Sequence, residues 1–393
     1  MSASPTPAAD VGPLSMRDPR DAGVALFQRF PSLVEKLPWA PIGNFPTAVE
    51  SLSSLASIAG DQPSPSPLAD VWVKREDRSA DGYGGNKVRT IEGHIGRALH
   101  RGSQRIWATG AFGSNHALCT AIHAPRLGLL VGVSLFPQPP LPTARANLRA
   151  TLATSPAIFP MPHAALIPWA LARLMARRGE STMTPGGAIP LGALGHVSAG
   201  LELAGQMASG ECPPFRHVVL AVGSTCTSAG LLVGLHLASG LGIGPTRPPH
   251  VNAIRVGPWP ISSKTAILWL ARRTHRFLEG VLGQQLPIDR RGLATGITSH
   301  GGYLGRGYGF PTAGGSAAAK AFSQAGGPPL DDVYTAKSGA GLLALRTLDG
   351  PHVYWATKSS WPLATVTSEQ LAHATPQMRA WLARPAIPQE RAP

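Results

Sequence analysis

From Val71 onward the chain alternates short β-rich runs with longer stretches of helical period, an alternation that restricts it to βαβ units built on parallel sheet. Val71-Trp-Val reads as a strand. Arg89 to Leu99 reads as a helix, because Ile91, Ile95 and Leu99 recur at helical spacing on one face. Arg105 to Ala108 is the next strand, followed by the turn Thr109-Gly-Ala-Phe-Gly and a helix beginning near Asn115. The same grammar continues with a strand from Leu129 to Phe136, helical patterns from Ala164 to Arg178 and Leu194 to Met207, and a strand from His217 to Val222. That last strand runs into Gly223 to Gly230, which opens the helix Leu231 to Ala238. The sequence contains no internal repeat.

At 393 residues the chain exceeds one average domain, and 43% hydrophobic against 14% charged residues is the balance of a folded, apolar interior. Residues 1–36 form an Ala, Pro and Asp-rich extension with weak helical periodicity from Val24 to Phe30. Prolines then space Leu37-Pro-Trp-Ala-Pro-Ile-Gly-Asn-Phe-Pro-Thr and oppose helix, so this stretch is expected to run extended along a surface. Gln62 to Pro67 reads as a loop, and the last ten or so residues as a Pro/Arg tail.

A net charge of +14 raises the question of nucleic acid, but the basic residues are dispersed. Their nearest approach to a patch is Arg173, Arg177 and Arg178, and no nucleic-acid motif accompanies them, so no nucleic-acid partner is expected. Cys119, Cys212 and Cys226 are odd in number and widely spaced, which suits a reducing compartment rather than a disulfide framework. No apolar run reaches the ~18 residues of a membrane span, and the N-terminus lacks the pattern of a secretory leader. A cytoplasmic protein without membrane contact is the expectation.

Three strand-loop-helix junctions carry chemistry. In Tyr83-Gly-Gly-Asn-Lys-Val-Arg a glycine pair delivers Lys87 to the start of a helix, where macrodipole and burial both disfavour an ammonium and favour a nucleophilic amine. The chain has seven lysines and none between Lys87 and Lys264, so candidates for a covalent amine are few. Taken alone, the motif reads more readily as a surface lysine capping a turn. In Gly113-Ser-Asn-His-Ala, backbone N–H groups with the side chains of Ser114 and Asn115 make a corner suited to a carboxylate, or else an ordinary helix cap. His116 and His123 are off the spacing of a helical metal pair, so no metal is expected. Gly223, Ser224, Thr225, Cys226, Thr227 and Ser228 offer amides, hydroxyls and a helix dipole to a phosphate, or form a glycine-rich turn without ligand. Neither GxxxxGK[ST] nor GxGxxG is present, which argues against a nucleotide site.

These three pieces, in this order, resemble the family of 1-aminocyclopropane-1-carboxylate deaminase and D-cysteine desulfhydrase, pyridoxal-phosphate enzymes of fold type II. The resemblance spans about residues 37 to 365. Its other carriers are the Leu37 proline segment, Lys74-Arg-Glu-Asp, Pro185-Gly-Gly-Ala-Ile-Pro-Leu-Gly, Gly307-Tyr-Gly-Phe-Pro and Asp332-Val-Tyr-Thr-Ala-Lys. It implies an α/β, tryptophan synthase β-like fold of two three-layer αβα domains with pyridoxal 5'-phosphate in the cleft between them. The large domain would comprise residues 37–92 and 199–380 and the small one 93–198, with a tail at 381–393 and a homodimeric assembly.

By the family pattern, Lys87 would be the Schiff-base lysine and proton carrier, and Asn86 would contact the cofactor. Asn115 would meet the cofactor's phenolic oxygen, Ser114 would contact the substrate carboxylate or shuttle a proton as a catalytic residue, and Asn115 and His116 would also meet the substrate. Residues 223 to 228 would hold the phosphate, Tyr308 and Tyr334 would face the substrate, and Thr335 or Thr357 would lie near the pyridine nitrogen. Thr335 stands where the deaminase branch has Glu, as in the desulfhydrase branch. A hydroxyl leaves that nitrogen largely neutral and disfavours ring opening. The resemblance therefore implies α,β-elimination on a small amino acid, giving a 2-oxo acid and ammonia. Ring opening, racemisation, dehydration, β-replacement and cofactor binding without catalysis remain as alternatives. Three positions depart from the pattern: Gly113 replaces Gln, Ala336 replaces Gly, and Thr357-Lys-Ser-Ser replaces Thr-Gly-Gly, placing Lys358 at the ring edge.

Overall fold

Ten strands form two sheets in the computed structural model, which describes residues 12–55, 70–345 and 348–387. In chain order they are β1 (Val49–Ser51), β2 (Val71–Lys74), β3 (Arg105–Ala111), β4 (Leu130–Phe136), β5 (Ala157–Ile158), β6 (Glu180–Thr182), β7 (His217–Val222), β8 (His250–Arg255), β9 (Ile297–His300) and β10 (His352–Trp355). The smaller sheet is parallel, ordered β5-β4-β3-β6, with Arg105 opposite Leu130 through Ala111 opposite Phe136. The larger is ordered β1-β2-β10-β7-β8-β9, and only β1 runs antiparallel to its neighbour. Strand β10, late in sequence, lies between β2 and β7. Every residue of β7 after His217 is buried, as a parallel strand covered by helices on both faces requires.

Helix Pro190–Ala208 packs against helix Cys226–Gly240 and against helix Lys87–His100. Its approach to the latter is close: a Cβ on Gly195 would lie 2.0 Å from the Arg89 carbonyl oxygen. A buried ionic cluster sits beneath this contact. Arg89 donates to Glu76 and Glu202, and Lys74 donates to Glu202, all four being essentially removed from water.

Several boundaries differ from the sequence reading for identifiable reasons. The Leu37 proline segment is not a surface run: Leu37, Trp39, Ala40 and Ile42 are buried. Burial is possible because Glu92 accepts hydrogen bonds from Ile42 N, Gly43 N and Trp39 Nε1, meeting the backbone needs of an extended chain. Within the N-terminal extension, helix Ala25–Arg29 forms, and Leu26, Phe27 and Leu33 enter the main core. The helix after β7 begins at Cys226 rather than Leu231: Ala229 N–H closes its first turn onto the Thr225 carbonyl at 2.9 Å, with Ser228 Oγ folded back onto the same carbonyl at 3.2 Å. Ala164–Leu166 is a 3-10 turn, and the α-helix proper is Ile167–Met175, with Pro168 in the first turn where a missing N–H costs nothing. Near the C-terminus, helix Pro376–Ala383 docks Trp381 against Phe112, its indole N–H donating to the Gln138 carbonyl. The loop expected at Gln62 to Pro67, and residues 388–393 of the expected tail, lie outside the described residues.

Candidate active site

Lys87 is the first residue of helix Lys87–His100, and the glycine turn before it is shaped by the loop that follows β10. Gly85 has φ +93°, and a Cβ there would sit 2.9 Å from the Thr357 carbonyl oxygen, so only glycine admits this approach. Asn86 N–H donates to that carbonyl at 3.1 Å, and Gly84 N–H donates to Ser359 Oγ at 3.0 Å. The turn thus hands Lys87 to the cleft with its Nζ 3.4 Å from Ser224 Oγ. Lys87 is half-buried, and burial lowers its pKa from the ordinary lysine value, enlarging the neutral, nucleophilic fraction.

Ser224 belongs to the second junction. Strand β7 ends at Val222, Thr225 stands at the N-cap without a side-chain cap, and the 15-residue helix Cys226–Gly240 opens with its first N–H groups uncommitted within the helix. Two of the expected hydroxyls turn inward, Thr227 Oγ1 accepting from Asn86 Nδ2 at 2.7 Å and Ser228 onto its own turn. The Cys226 thiol, pushed up to about 11 by burial, faces Gly187 and Thr90, which leaves only its backbone for a ligand. Ser224 and Thr225 remain as the hydroxyls of this loop.

At the third junction Ser114 caps helix Asn115–His123, its Oγ accepting from Ala117 N at 3.2 Å. Asn115 Oδ1 accepts from Tyr83 OH at 2.9 Å and from Asn147 Nδ2 at 2.8 Å, which turns the amide nitrogen outward as a donor without a described protein acceptor. His116 is buried with neither ring nitrogen hydrogen-bonded, and burial holds it well below the usual histidine range, hence neutral.

Tyr308 and Tyr334 meet edge to face with their hydroxyls 2.5 Å apart, and burial raises both phenols above their ordinary value. The Tyr334 ring lies over Gly223, where a Cβ would stand 2.7 Å from its Cε1, so this pair adjoins the 223 loop. The two threonines differ. Thr335 Oγ1 donates to Asp331 Oδ2 at 2.8 Å and accepts from Asp331 N at 2.5 Å, filling both of its roles. The Thr357 hydroxyl engages no described residue. Sequence reasoning missed Tyr83 and Asn147, which fix Asn115; Tyr83 lay beside the glycine pair, whereas nothing local marked Asn147.

A parallel-sheet pair with a lysine-bearing turn facing a phosphate-type loop defines a fold type II pyridoxal-phosphate protein. The chain belongs to the pyridoxal-phosphate dependent enzyme family, whose sequence pattern matches residues 45–350. It is 32% identical over 333 residues to nocardicin C-9' epimerase of Nocardia uniformis subsp. tsuyamanensis, covering 82% of this chain and 93% of that protein. It is also 32% identical over 311 residues to D-cysteine desulfhydrase of Salmonella choleraesuis (strain SC-B67), covering 76% of this chain and 85% of that one. Among solved structures, an ACC deaminase homologue superposes with TM-score 0.67 at 24% identity, covering 91% of this chain and 99% of that chain. The processed threonine deaminase isoform 2 from Solanum lycopersicum gives TM-score 0.52 at 16% identity, covering 98% and 97%. Pyridoxal phosphate is the family's cofactor, and the residues fit it: an amine of lowered pKa, an uncapped helix N-terminus beside it, and an outward Asn115 amide. Among the described residues, no helix is long and apolar enough to cross a membrane.

Proposed function

We propose that this protein catalyses α,β-elimination on a small amino acid bearing a leaving group at Cβ, releasing a 2-oxo acid and ammonia. The observation that carries the reading is the 3.4 Å approach of Lys87 Nζ to Ser224 Oγ, which puts the amine against the loop suited to a phosphate. When bound, pyridoxal phosphate supplies an electron sink for the bond broken at Cα. Lys87 Nζ would be the amine that anchors it, and would also be the base that moves the proton at Cα. Amides of residues 223–228, with the Ser224 and Thr225 hydroxyls, hold the phosphate, and Asn86 steadies that loop through Thr227. Asn115 Nδ2 donates to the phenolic oxygen, while the unengaged Thr357 hydroxyl, rather than the occupied Thr335, meets the ring nitrogen. Ser114, Asn115 and His116 receive the substrate carboxylate at a helix N-terminus. Tyr308 and Tyr334, both neutral at physiological pH, form a linked O–H pair able to protonate a departing thiolate or hydroxide.

This reading treats residues 37–92 with 199–380, and 93–198, as the two domains flanking the cleft, in a cytoplasmic homodimer. Absorbance at about 410–430 nm, the rough range for a lysine-bound cofactor, should be present in the wild type and absent from a folded Lys87→Ala variant. Pyruvate and sulfide should appear from D- or L-cysteine; no pyruvate from either, nor from chloroalanine, rejects elimination. Likeness to an epimerase supports a second reading, in which the Cα proton is removed and returned without a leaving group. Solvent deuterium entering Cα without release of 2-oxo acid would select it.

A further inference from the structure

Lys358 stands where the family resemblance has glycine, and its surroundings give it a role. Its Nζ donates to Tyr83 OH at 2.9 Å and to Asn147 Oδ1 at 3.3 Å, and it lies 5.1 Å from the centroid of the Tyr83 ring. Tyr83 and Asn147 are the two residues that hold Asn115 Oδ1. The ammonium has three N–H groups, so these two contacts leave one unspent. It pairs with no carboxylate among the described residues. Asp331, the acid that acts on it through space, is consumed by Val333 N, Tyr334 N, Thr335 N and the Thr335 hydroxyl. Burial lowers the Lys358 amine to about 8, so at neutral pH most molecules still carry the charge. A half-buried cation without a described counter-ion, joined through Tyr83 and Asn147 to the Asn115 carbonyl oxygen at the first residue of helix Asn115–His123, adds a charged donor at the edge of the Ser114–Asn115–His116 corner.

We propose that Lys358 is a specificity-determining residue that binds a carboxylate of the amino-acid substrate, completing the Ser114–Asn115–His116 corner with a positive charge. This rests on the reading of that corner as the substrate site. The carboxylate comes either from Cα or from an acidic side chain, and the chemistry at Lys358 is the same. No bond is made or broken by this residue; it selects and orients.

The test is calorimetric titration of the holoenzyme with propionate and with succinate, neither of which has an amine to react. Wild type is compared with Lys358→Met, Lys358→Gln and Lys358→Arg, and unchanged near-UV circular dichroism certifies the fold of each. Loss of a charge-assisted hydrogen bond predicts a rise in Kd of about tenfold or more in the Met and Gln variants, with Arg staying within about threefold of wild type. An equal rise for both acids assigns the Cα carboxylate, and a rise for succinate alone assigns an acidic side chain; either supports the proposal. Unchanged Kd values in the Met and Gln variants overturn it. The visible band of the bound cofactor, read on the same samples, keeps the two ideas separate: a band with unchanged Kd defeats the role of Lys358 alone, whereas a wild type without a band defeats the reading of Lys87.

Discussion

Replacing Glu202 with Gln measures how firmly the helix that carries Lys87 is held. Glu202 accepts from Lys74 Nζ at 2.5 Å, from Thr47 N at 2.9 Å and from Arg89 Nη2 at 2.9 Å, and Arg89 lies two residues past Lys87 on the same helix. Burial alone would raise the Glu202 carboxyl, yet Arg89 and Lys74 together hold it below its usual range, so it is ionised. With Glu76 the cluster contains two cations and two anions; the amide leaves an excess positive charge out of water. Breaking a buried pair in this way costs about 3–5 kcal/mol. With an unfolding entropy of roughly 2.1 cal/mol/K per residue, a chain of this length melting as one unit should lose roughly 5 °C in Tm. Differential scanning calorimetry at pH 7 reads this directly. Lys74→Met alone should cost a similar amount. The double variant restores neutrality and should recover about 2 kcal/mol relative to the summed single effects. Additive losses, or a Glu202→Gln variant melting within about 1 °C of wild type, would refute the view that charge balance secures this helix.

Gly186 has φ +66°, and a Cβ there would lie 2.6 Å from Ser224 Cβ. Gly186→Ala should therefore displace the 223 loop and weaken cofactor affinity about tenfold or more, given the ~1–2 kcal/mol that left-handed backbone costs a non-glycine residue; equilibrium dialysis giving an unchanged Kd would mean that Ser224 does not contact the phosphate. His94 and His123 are fully buried and held at about 4 by burial, each with Nε2 on a backbone carbonyl. Their folded pKa lies below the ordinary value of about 6.5, so the unfolded chain takes up protons that the folded one refuses. Stability should be full above about pH 6.5 and fall toward pH 4, by up to ~1.4 kcal/mol per pH unit for each histidine. Urea denaturation at pH 7 and pH 5 checks the sign, and equal midpoints would contradict it.

The junctions were legible because each combines a continuous apolar strand with glycine or hydroxyl residues before a helix. His217 to Val222 is an example, read with the bounds that the structure gives. Lys87 and Ser224 could be nominated separately, but their approach depends on the Thr357 loop packing on Gly85, a contact between positions 272 residues apart in sequence. Long-range polar partners were the illegible part. Nothing near Ile42 announces that Glu92 will satisfy its backbone, so a proline-spaced segment looked like surface. Nothing near Asn147 announces its bond to Asn115. The Thr335 hydroxyl looked available until Asp331 was seen to occupy it.

The position of β10 sets an order of events during synthesis. Its four residues form the seam between β2 and β7, and the loop after it closes over the turn that presents Lys87. On the ribosome, the nine other described strands have all been emitted before this seam exists. Until residues 352–359 emerge, the two flanks of the larger sheet have no common edge and the amine has no finished pocket. Cofactor capture is thereby deferred until residues 352–359 have emerged, and a nascent chain stalled earlier should stay colourless.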